Sequence, residues 1–449
     1  MADARPTVPR AHWNSRLGFI LAAAGSAVGL GNIWRFPYLA GENGGGAFLV
    51  LYLAIAFTLG VSVLLAELAI GRLGQRNPVG ALRALAGGPW TAAGYLGTVA
   101  AFLVLSFYSV VGGWTLAYIV KSATGALGGE SAEAAAQAFG ALVGGAAEPV
   151  IYHGVFMALT AAIVLRGVGG GIEAANKWLM PALFLLLVVL VLRAVTLPGA
   201  GEGLAFYLTP DFAKVTPGTV VAALSQAFFS LSVGLGAMIT YGSYLDRRGG
   251  SLPRAAFWIT GIDCSVAVLG GLLIFSAVFA FGHDPAAGPG LTFVTLPTVF
   301  HQMPGGALFA VAFFLLLALA ALTSAVSLLE VAVAYLVDER AMPRRRATLG
   351  LGLAVFLAGI PSALSLGPWS GYTLYGLGAM DLLDTITVKL MIPLGGIVLS
   401  LFAGWVLADR AAAALAGGAR PLWLRAWIAM CRYVAPAAIG WVMVAGLWG

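Results

Sequence analysis

The chain has 449 residues, of which 60% are hydrophobic and 9% are charged, and its formal net charge is +6. So few polar groups cannot cover a water-facing surface, which excludes a soluble protein. The mean hydropathy of +0.95 indicates a chain that lies in lipid. The basic residues stand at the ends of apolar runs rather than in one patch, so nucleic acid is not expected as a partner.

Apolar runs long enough to cross a bilayer recur along the chain. A transmembrane helix needs about 18 or more apolar residues, and this criterion predicts about eleven spans. The fourth carries the weakest signal, because Tyr152 and His153 stand near its start and a glycine-rich stretch follows it. The approximate cores are 17–40, 47–70, 93–120, 150–166, 177–196, 218–244, 256–282, 305–337, 347–366, 378–408 and 423–447.

The Lys and Arg residues predict the direction in which the spans run, because cytoplasmic loops carry an excess of them. A cytoplasmic N-terminus places most of the 24 Lys and Arg residues in cytoplasmic segments. Three basic residues then fall in extracellular segments: Lys121, Arg193 and Lys214. We therefore expect a multi-pass protein of the cell (inner) membrane with its N-terminus in the cytoplasm and its C-terminus outside. Oligomeric state is not readable from the sequence.

The first and sixth predicted spans share the tetrapeptide VGLG, at 28–31 and 233–236. Glycine lowers helix stability by about 1 kcal/mol relative to Ala, so both spans are expected to break in the middle. Two glycine-interrupted spans at corresponding positions are typical of transporters built from repeats. An odd number of spans per unit inverts the second unit, which predicts a 5+5 inverted repeat with one additional span.

The expected units follow from this repeat. They are 1–16 as a cytoplasmic N-terminal segment, 17–196 as the first five-helix repeat, 197–217 as an extracellular connection, 218–408 as the second, inverted five-helix repeat, and 409–449 as a connection with the additional transmembrane helix.

Unwound backbone at membrane depth is tolerated where it lines a cavity and holds a ligand. Half-helix N-termini suit a carboxylate, and freed carbonyl groups suit a small hard cation. Asn32, Ser230 and Ser232 are polar residues at the two breaks and favour a binding site. The alternative is that the small residues 25–29 form only a helix-packing face.

Five segments resemble the neurotransmitter:sodium symporter family, and specifically its bacterial amino-acid transporters. They are WNSRLGF at 13–19, AVGLGNIWRFPY at 27–38, ENGGGAF at 42–48, QAFFSLS at 226–232 and LTS at 322–324. The resemblance spans residues 10 to about 408. It implies an all-α polytopic membrane protein with the leucine-transporter fold, whose first and sixth helices unwind at mid-membrane. It also implies sodium-coupled import of an amino acid by alternating access.

The resemblance further implies two sodium sites. The first uses the carbonyl of Ala27 with Asn32, Ser230 and Asp263, and the substrate carboxylate completes its shell. The second uses carbonyls of Gly25, Val28 and Ala320 with hydroxyls of Thr323 and Ser324. These two hydroxyls could as easily bond backward within their own helix.

Asp263 stands where many relatives have Asn, so it should supply the negative charge that several relatives obtain from chloride. We therefore expect sodium, and no chloride, as the ionic requirement. Protonation of Asp263 when sodium leaves would couple uptake to outward proton movement.

The substrate site that the resemblance implies surrounds both breaks. Its members are Ala27, Leu30, Gly31, Val104, Tyr108, Phe229, Ser230, Ser232, Leu235, Ser324 and Leu328. The family's amine transporters place an Asp where this chain has Gly29, so the substrate should bring its own carboxylate. The uncharged lining predicts a neutral, hydrophobic or aromatic amino acid.

Two charged pairs are implied as gates for alternating access. The outer gate pairs Arg35 with Asp384, although Asp381 is close enough in sequence to be confused with it. The inner gate pairs Arg10 with Asp338, with Trp13 and Tyr244 nearby. Either pair could instead be purely structural.

Other function classes leave no signature in the sequence. No His-Glu-x-x-His, Gly-x-Ser-x-Gly or Walker A motif occurs, so neither an enzyme nor an ATP-driven pump is expected. Two cysteines without partner spacing indicate neither a disulfide nor a metal site. A sodium-dependent amino-acid sensor or channel on the same fold is the alternative, because binding and transport use the same residues.

Overall fold

A computed structural model describes residues 11–127, 131–247, 249–286, 288, 290–416, 418–419 and 421–448. Within these ranges, nine helices are long and apolar enough to cross a membrane, and a bent pair adds a tenth span. The bent pair, Arg16–Ala27 with Gly31–Glu42, is the first span, and its halves meet at 51°. The nine helices are Gly46–Gly74, Trp90–Thr124, Glu148–Leu165, Val168–Val195, Leu252–Ala280, Gly306–Arg340, Arg344–Leu364, Ala379–Val406 and Leu422–Gly446.

The predicted sixth span consists of two shorter helices, Pro217–Ser230 and Ala237–Gly242. A reciprocal capping box at Thr216 and Thr219 starts the first of them. Each helix is too short to cross a bilayer alone. With this discontinuous pair, the structure accounts for the eleven predicted spans and confirms that the first and sixth are unwound.

The break in the sixth span has a backbone that most residues avoid. Ser232, Gly234 and Gly236 have φ angles of 52°, 90° and 73°. At Gly234 the neighbours also exclude a side chain, because a Cβ would lie 2.4 Å from the carbonyl oxygen of Ile392. Glycine is therefore required there both by the positive φ and by the close approach of the tenth span.

The fifth span begins earlier than predicted. The sequence placed its start at 177, whereas the helix begins with a π-helical turn, Val168–Glu173, that continues into Ala174–Val195. The glycine-rich stretch thus opens this span rather than separating it from the fourth. Its backbone is hydrogen-bonded, since the amides of Gly171 and Ile172 both donate to the carbonyl of Gly167 at 3.0 Å.

The third and eighth spans are the longest helices, with 35 residues each. At 1.5 Å per residue each extends for about 52 Å. They pack extensively against each other and border the unwound segments of the first and sixth spans. Shorter helices, including Pro78–Leu85, Ala132–Gly144 and Ala200–Leu208, connect the spans.

Candidate ion and substrate site

One side chain of the first span itself and one from the third span hold the break in the first span. The first half-helix ends at Val28, whose ψ of 113° takes the chain out of helical geometry. The freed amide of Gly29 donates to Oδ1 of Asn32 at 3.0 Å. The next amide, of Leu30, donates to the hydroxyl oxygen of Tyr108 at 3.2 Å. The break is thus a defined conformation rather than a frayed helix end.

Three of the four residues expected at the first sodium site form one buried cluster, whereas Ala27 lines the adjoining cavity. Asn32 Nδ2 donates to Asp263 Oδ1 at 2.7 Å and to Ser230 Oγ at 3.0 Å. Ser230 Oγ in turn donates to Asp263 Oδ2 at 2.9 Å. Asp263 is fully buried, and the ion pairs formed by the described residues do not include it. A buried carboxylate without a cationic side chain favours a bound cation or a proton.

The residues expected at the second sodium site lie where the first span meets the eighth. Ser324 Oγ donates to the carbonyl of Val28 at 3.0 Å and contacts that of Gly25 at 3.5 Å. Thr323 Oγ1 lies 2.9 Å from the carbonyl of Ala320 in its own helix and 3.4 Å from that of Val28. Both bonding patterns left open by the sequence are therefore present, and the oxygens converge across two spans.

A cavity adjoins the first cluster and contacts both breaks. Of the predicted substrate residues, Leu30 does not line it; its backbone instead holds Tyr108. Gly29, Phe228, Val233 and Ile392 line the cavity and were not predicted. The other predicted residues line the cavity: Ala27, Gly31, Val104, Tyr108, Phe229, Ser230, Ser232, Leu235, Ser324 and Leu328.

Gly29 gives this cavity part of its width. A Cβ at Gly29 would lie 2.7 Å from Ser324 Oγ and 2.9 Å from the Tyr108 hydroxyl oxygen. A larger residue, including Asp, would therefore displace both groups. The Tyr108 hydroxyl accepts from the Leu30 amide and is also in hydrogen-bonding contact with Ser324, which fixes it at the edge of the cavity.

The sequence can be compared with known proteins on this basis. Residues 10–138 and 149–441 match the profile of the Sodium:neurotransmitter symporter family. The chain belongs to this family. It is accordingly a sodium-dependent membrane transporter rather than an enzyme.

Relatives of this symporter align along most of its length. YhdH of Bacillus subtilis (strain 168), an uncharacterized sodium-dependent transporter, is 42% identical over 98% of this chain and 97% of its own. The human sodium- and chloride-dependent GABA transporter 2 is 31% identical over 79% of this chain and 67% of its own. The crystal structure of MhsT in complex with L-phenylalanine is 46% identical, covers 97% of this chain and 100% of its own, and gives a TM-score of 0.89. This likeness confirms the leucine-transporter fold.

The predicted outer-gate pair of the symporter is not formed as an ion pair. Arg35 instead donates to Ser225 Oγ at 3.2 Å and to Gln226 Oε1 at 3.4 Å. Its guanidinium carbon lies 4.7 Å from the centre of the Phe229 ring. Asp384 is within electrostatic range of Arg35 but does not contact it. Polar partners and an aromatic face in the sixth span thus satisfy the charge of Arg35.

Arg10 of the predicted inner gate lies outside the described residues. Asp338 accepts from the backbone amide of Asn77 at 2.8 Å. Trp13 donates from Nε1 to the carbonyl of Tyr241 at 3.0 Å, and its ring packs edge-on against Tyr241 and Tyr244. The structure therefore brings Trp13 and Tyr244 together and connects Asp338 to the start of the helix Pro78–Leu85.

Tyr244 is also hydrogen-bonded to a buried ion pair that the sequence prediction missed. Its hydroxyl donates to Glu330 Oε1 at 2.6 Å, and Arg344 Nη1 donates to the same oxygen at 3.0 Å. Glu330 was a usable signal, because it is the one carboxylate in the predicted core 305–337 and an intramembrane carboxylate needs a partner. The partner lies at the start of the ninth span.

Three further polar residues around the breaks were missed. Tyr52 donates to Asp263 Oδ2 at 3.2 Å. Gln226 Nε2 donates to the carbonyl of Gly31 at 2.8 Å. Glu67 Oε1 accepts from the amide of Gly234 at 2.5 Å, which satisfies a donor freed by the sixth break. Only Glu67 carried a clear sequence signal, as the single carboxylate of the second span.

Proposed function

We propose that this transporter imports a neutral, hydrophobic or aromatic amino acid together with sodium ions, without a requirement for chloride. The observation that carries this proposal is the Asp263 cluster beside a cavity that contacts both breaks. A carboxylate, two unwound backbones and an apolar cavity suit a cation and an amphipathic ligand that bind side by side. The first sodium would be bound by Asp263 and Asn32 together with the carboxylate of the substrate.

Two sodium sites are proposed because two separate groups of oxygens converge on the first break. One contains Asn32, Ser230 and Asp263, and the other contains Thr323 and Ser324 with first-span carbonyls. Asn32 turns its Nδ2 toward Asp263 while its Oδ1 accepts from Gly29, and the other members of both groups contribute oxygens, as a hard cation prefers. Two sodium ions moving inward with a net-neutral substrate gain about 4.6 kcal/mol per 100 mV, which corresponds to more than about a thousandfold accumulation.

The cavity supports a neutral, hydrophobic or aromatic side chain on the substrate. Val104, Leu235 and Leu328 contribute aliphatic surface and Phe229 contributes an aromatic one. The uncharged Gly29 offers no counter-charge to an amine that lacks its own carboxylate. MhsT, whose structure contains L-phenylalanine, supports the same class of ligand.

Alternating access would use the two contact regions that flank the cavity. We propose that Phe229 acts as a lid, and that Arg35 approaches Asp384 when the outer side closes. On the inner side, separation of Trp13 from Tyr241 and Tyr244 would free the first half-helix, Arg16–Ala27. Asp263 would bind sodium in one state and a proton in the other.

The deciding experiment is uptake into proteoliposomes that contain the purified full-length protein. We expect radiolabelled L-phenylalanine or L-leucine to accumulate with an inward sodium gradient and to stop accumulating when sodium is replaced by choline. Excess unlabelled apolar amino acids should compete, whereas Lys and Glu should not. Accumulation that persists after the sodium gradient is collapsed would contradict the proposal, and sodium-dependent binding without accumulation would favour a sensor.

A further inference from the structure

Asn176 is a buried amide in the fifth span, and only one of its two polar ends has a partner. Its side chain is 1% exposed, and its Nδ2 donates to the carbonyl of Ile172 at 2.9 Å. Among the described residues its Oδ1 accepts no hydrogen bond. An amide oxygen without a partner in an apolar interior is destabilising unless a ligand or water uses it. The bond from Nδ2 fixes which end of the amide faces the neighbouring spans.

This oxygen lies against the first span at Gly25. A Cβ at Gly25 would be 2.2 Å from Asn176 Oδ1 and 3.2 Å from Thr323 Cβ. The carbonyl of Gly25 in turn lies 3.5 Å from Ser324 Oγ. Gly25, Thr323 and Ser324 all belong to the proposed second sodium site. The unpartnered oxygen therefore stands beside a group of oxygens that the first and eighth spans contribute.

We propose that Asn176 Oδ1 is an additional oxygen donor at the second sodium site, which then uses three spans instead of two. This proposal rests on the proposed sodium-coupled function. An amide oxygen is a neutral hard donor of the same kind as the backbone carbonyls of Gly25 and Val28. It would therefore complete the ion's shell without adding charge.

The position of Asn176 would connect this ion to the N-terminal segment. Three residues earlier, Glu173 accepts from the Asn14 amide at 2.6 Å and from Ser15 Oγ at 2.8 Å. Glu173 also pairs with Lys177 at 2.7 Å. The stretch 173–177 thus holds the residues that precede the first half-helix while Asn176 reaches the ion. Sodium at this site would stabilise both contacts together.

The test is sodium-dependent thermal stabilisation of the purified full-length protein, titrated with NaCl at constant ionic strength against choline chloride. No amino acid is added, because the first sodium site then lacks its substrate carboxylate and the second dominates the titration. For Asn176→Leu, which keeps the approximate size but removes the oxygen, we expect a half-saturating sodium concentration about tenfold above wild type. For Asn176→Asp, which keeps an oxygen and adds charge, we expect a lower one.

Thr160→Val is the matched control, since Thr160 is a buried hydroxyl that bonds to Phe156 in its own helix at 2.9 Å. It should titrate like wild type. A wild-type sodium dependence in Asn176→Leu, or an equal shift in Thr160→Val, would overturn the assignment. If Asn176→Leu does not fold, an unchanged or weakened sodium response in Asn176→Asp would overturn it. Wild-type protein without any sodium response would instead refute the proposed function itself.

Discussion

Asp263 is the residue on which the ionic requirement depends. It accepts hydrogen bonds from Asn32, Ser230 and Tyr52, three neutral groups that leave its charge uncompensated. A sodium ion beside it would be neutralised by the protein itself, whereas a site with a neutral Asn there needs an external anion. We therefore predict that wild-type uptake continues when chloride is replaced by gluconate, and that Asp263→Asn weakens uptake.

Added chloride should partly restore uptake by Asp263→Asn, because the anion would replace the missing carboxylate. Uptake rates of both proteins are compared in chloride and gluconate at one sodium concentration. Wild-type uptake that stops in gluconate would contradict the assignment. The contrast is informative because the human relative at 31% identity is a sodium- and chloride-dependent GABA transporter.

Gly29 provides a second test at the scale of one residue. In Gly29→Ala the new methyl group would press on Ser324 Oγ and the Tyr108 hydroxyl, at 2.7 and 2.9 Å. Overpacking of this kind costs about 1–3 kcal/mol, so we expect the substrate concentration for half-maximal uptake to rise about tenfold. Gly350→Ala is the control, since a Cβ there meets nothing within 4 Å. Equal uptake by both variants would show that Gly29 does not shape the substrate site.

Site residues could be predicted where they belong to a recognisable sequence segment, but not where their role depends on a distant neighbour. Asn32, Ser230 and Asp263 were found because they lie in or near recognisable segments, and the structure places them in contact. Tyr52 and Gln226 were missed because each matters only through a neighbour far away in the chain. A single Tyr or Gln in an apolar run does not reveal which side of its helix faces the break.

At the scale of elements, the break in the sixth span depends on Gly234. Its φ of 90° strains any other residue, and a Cβ would lie 2.4 Å from the carbonyl oxygen of Ile392. Positive φ in a non-glycine residue costs about 1–3 kcal/mol before the contact with Ile392 is added. We predict that Gly234→Ala lowers the thermal unfolding midpoint by at least about 3 °C and abolishes substrate binding.

Scanning fluorimetry and equilibrium binding of labelled substrate would measure both effects. Gly201→Ala is the comparison, because Gly201 is helical and a Cβ there meets nothing within 4 Å. Its unfolding midpoint should match that of the wild type. If Gly234→Ala is as stable and binds as well as Gly201→Ala, the geometry of the sixth break is not what holds the substrate.

The elements themselves were predictable to different degrees. Long apolar runs gave the spans, and paired glycines gave the two breaks, because both follow from local chemistry. The predicted start of the fifth span was wrong, because the glycine-rich stretch 167–171 was interpreted as a break between the fourth and fifth spans. In the structure a Cβ at Gly171 would lie 2.1 Å from the carbonyl oxygen of Ile163 in the fourth span, and the turn is π-helical. Only contacts between spans decide that outcome.

For the whole molecule, the Lys and Arg distribution predicts an N-terminus in the cytoplasm and a C-terminus outside. Cys264 and Cys431 are buried, so introduced cysteines can report sidedness with little background. Tyr372→Cys, at an exposed position between the ninth and tenth spans, should react with an impermeant maleimide on intact cells. Ala413→Cys, between the tenth and eleventh spans, should react only after permeabilisation.

Wild-type protein serves as the unlabelled reference in both conditions. The reverse pattern, with Ala413→Cys labelled on intact cells and Tyr372→Cys protected, would invert the proposed topology. It would leave the ion cluster unchanged but exchange the roles of the two gates. The assay therefore tests the direction of transport separately from its chemistry.

The two 35-residue helices have a mechanical consequence. At about 52 Å each they exceed a hydrocarbon core of about 30 Å, so their ends extend beyond it. Thr323 and Ser324 lie in the long eighth span. Gly25 and Val28 lie at the end of the first half-helix, where the first span bends by 51°. A sodium ion bound between them would hold the first half-helix against the eighth span. When the ion leaves, the first half-helix would be free to move while the eighth span stays in place.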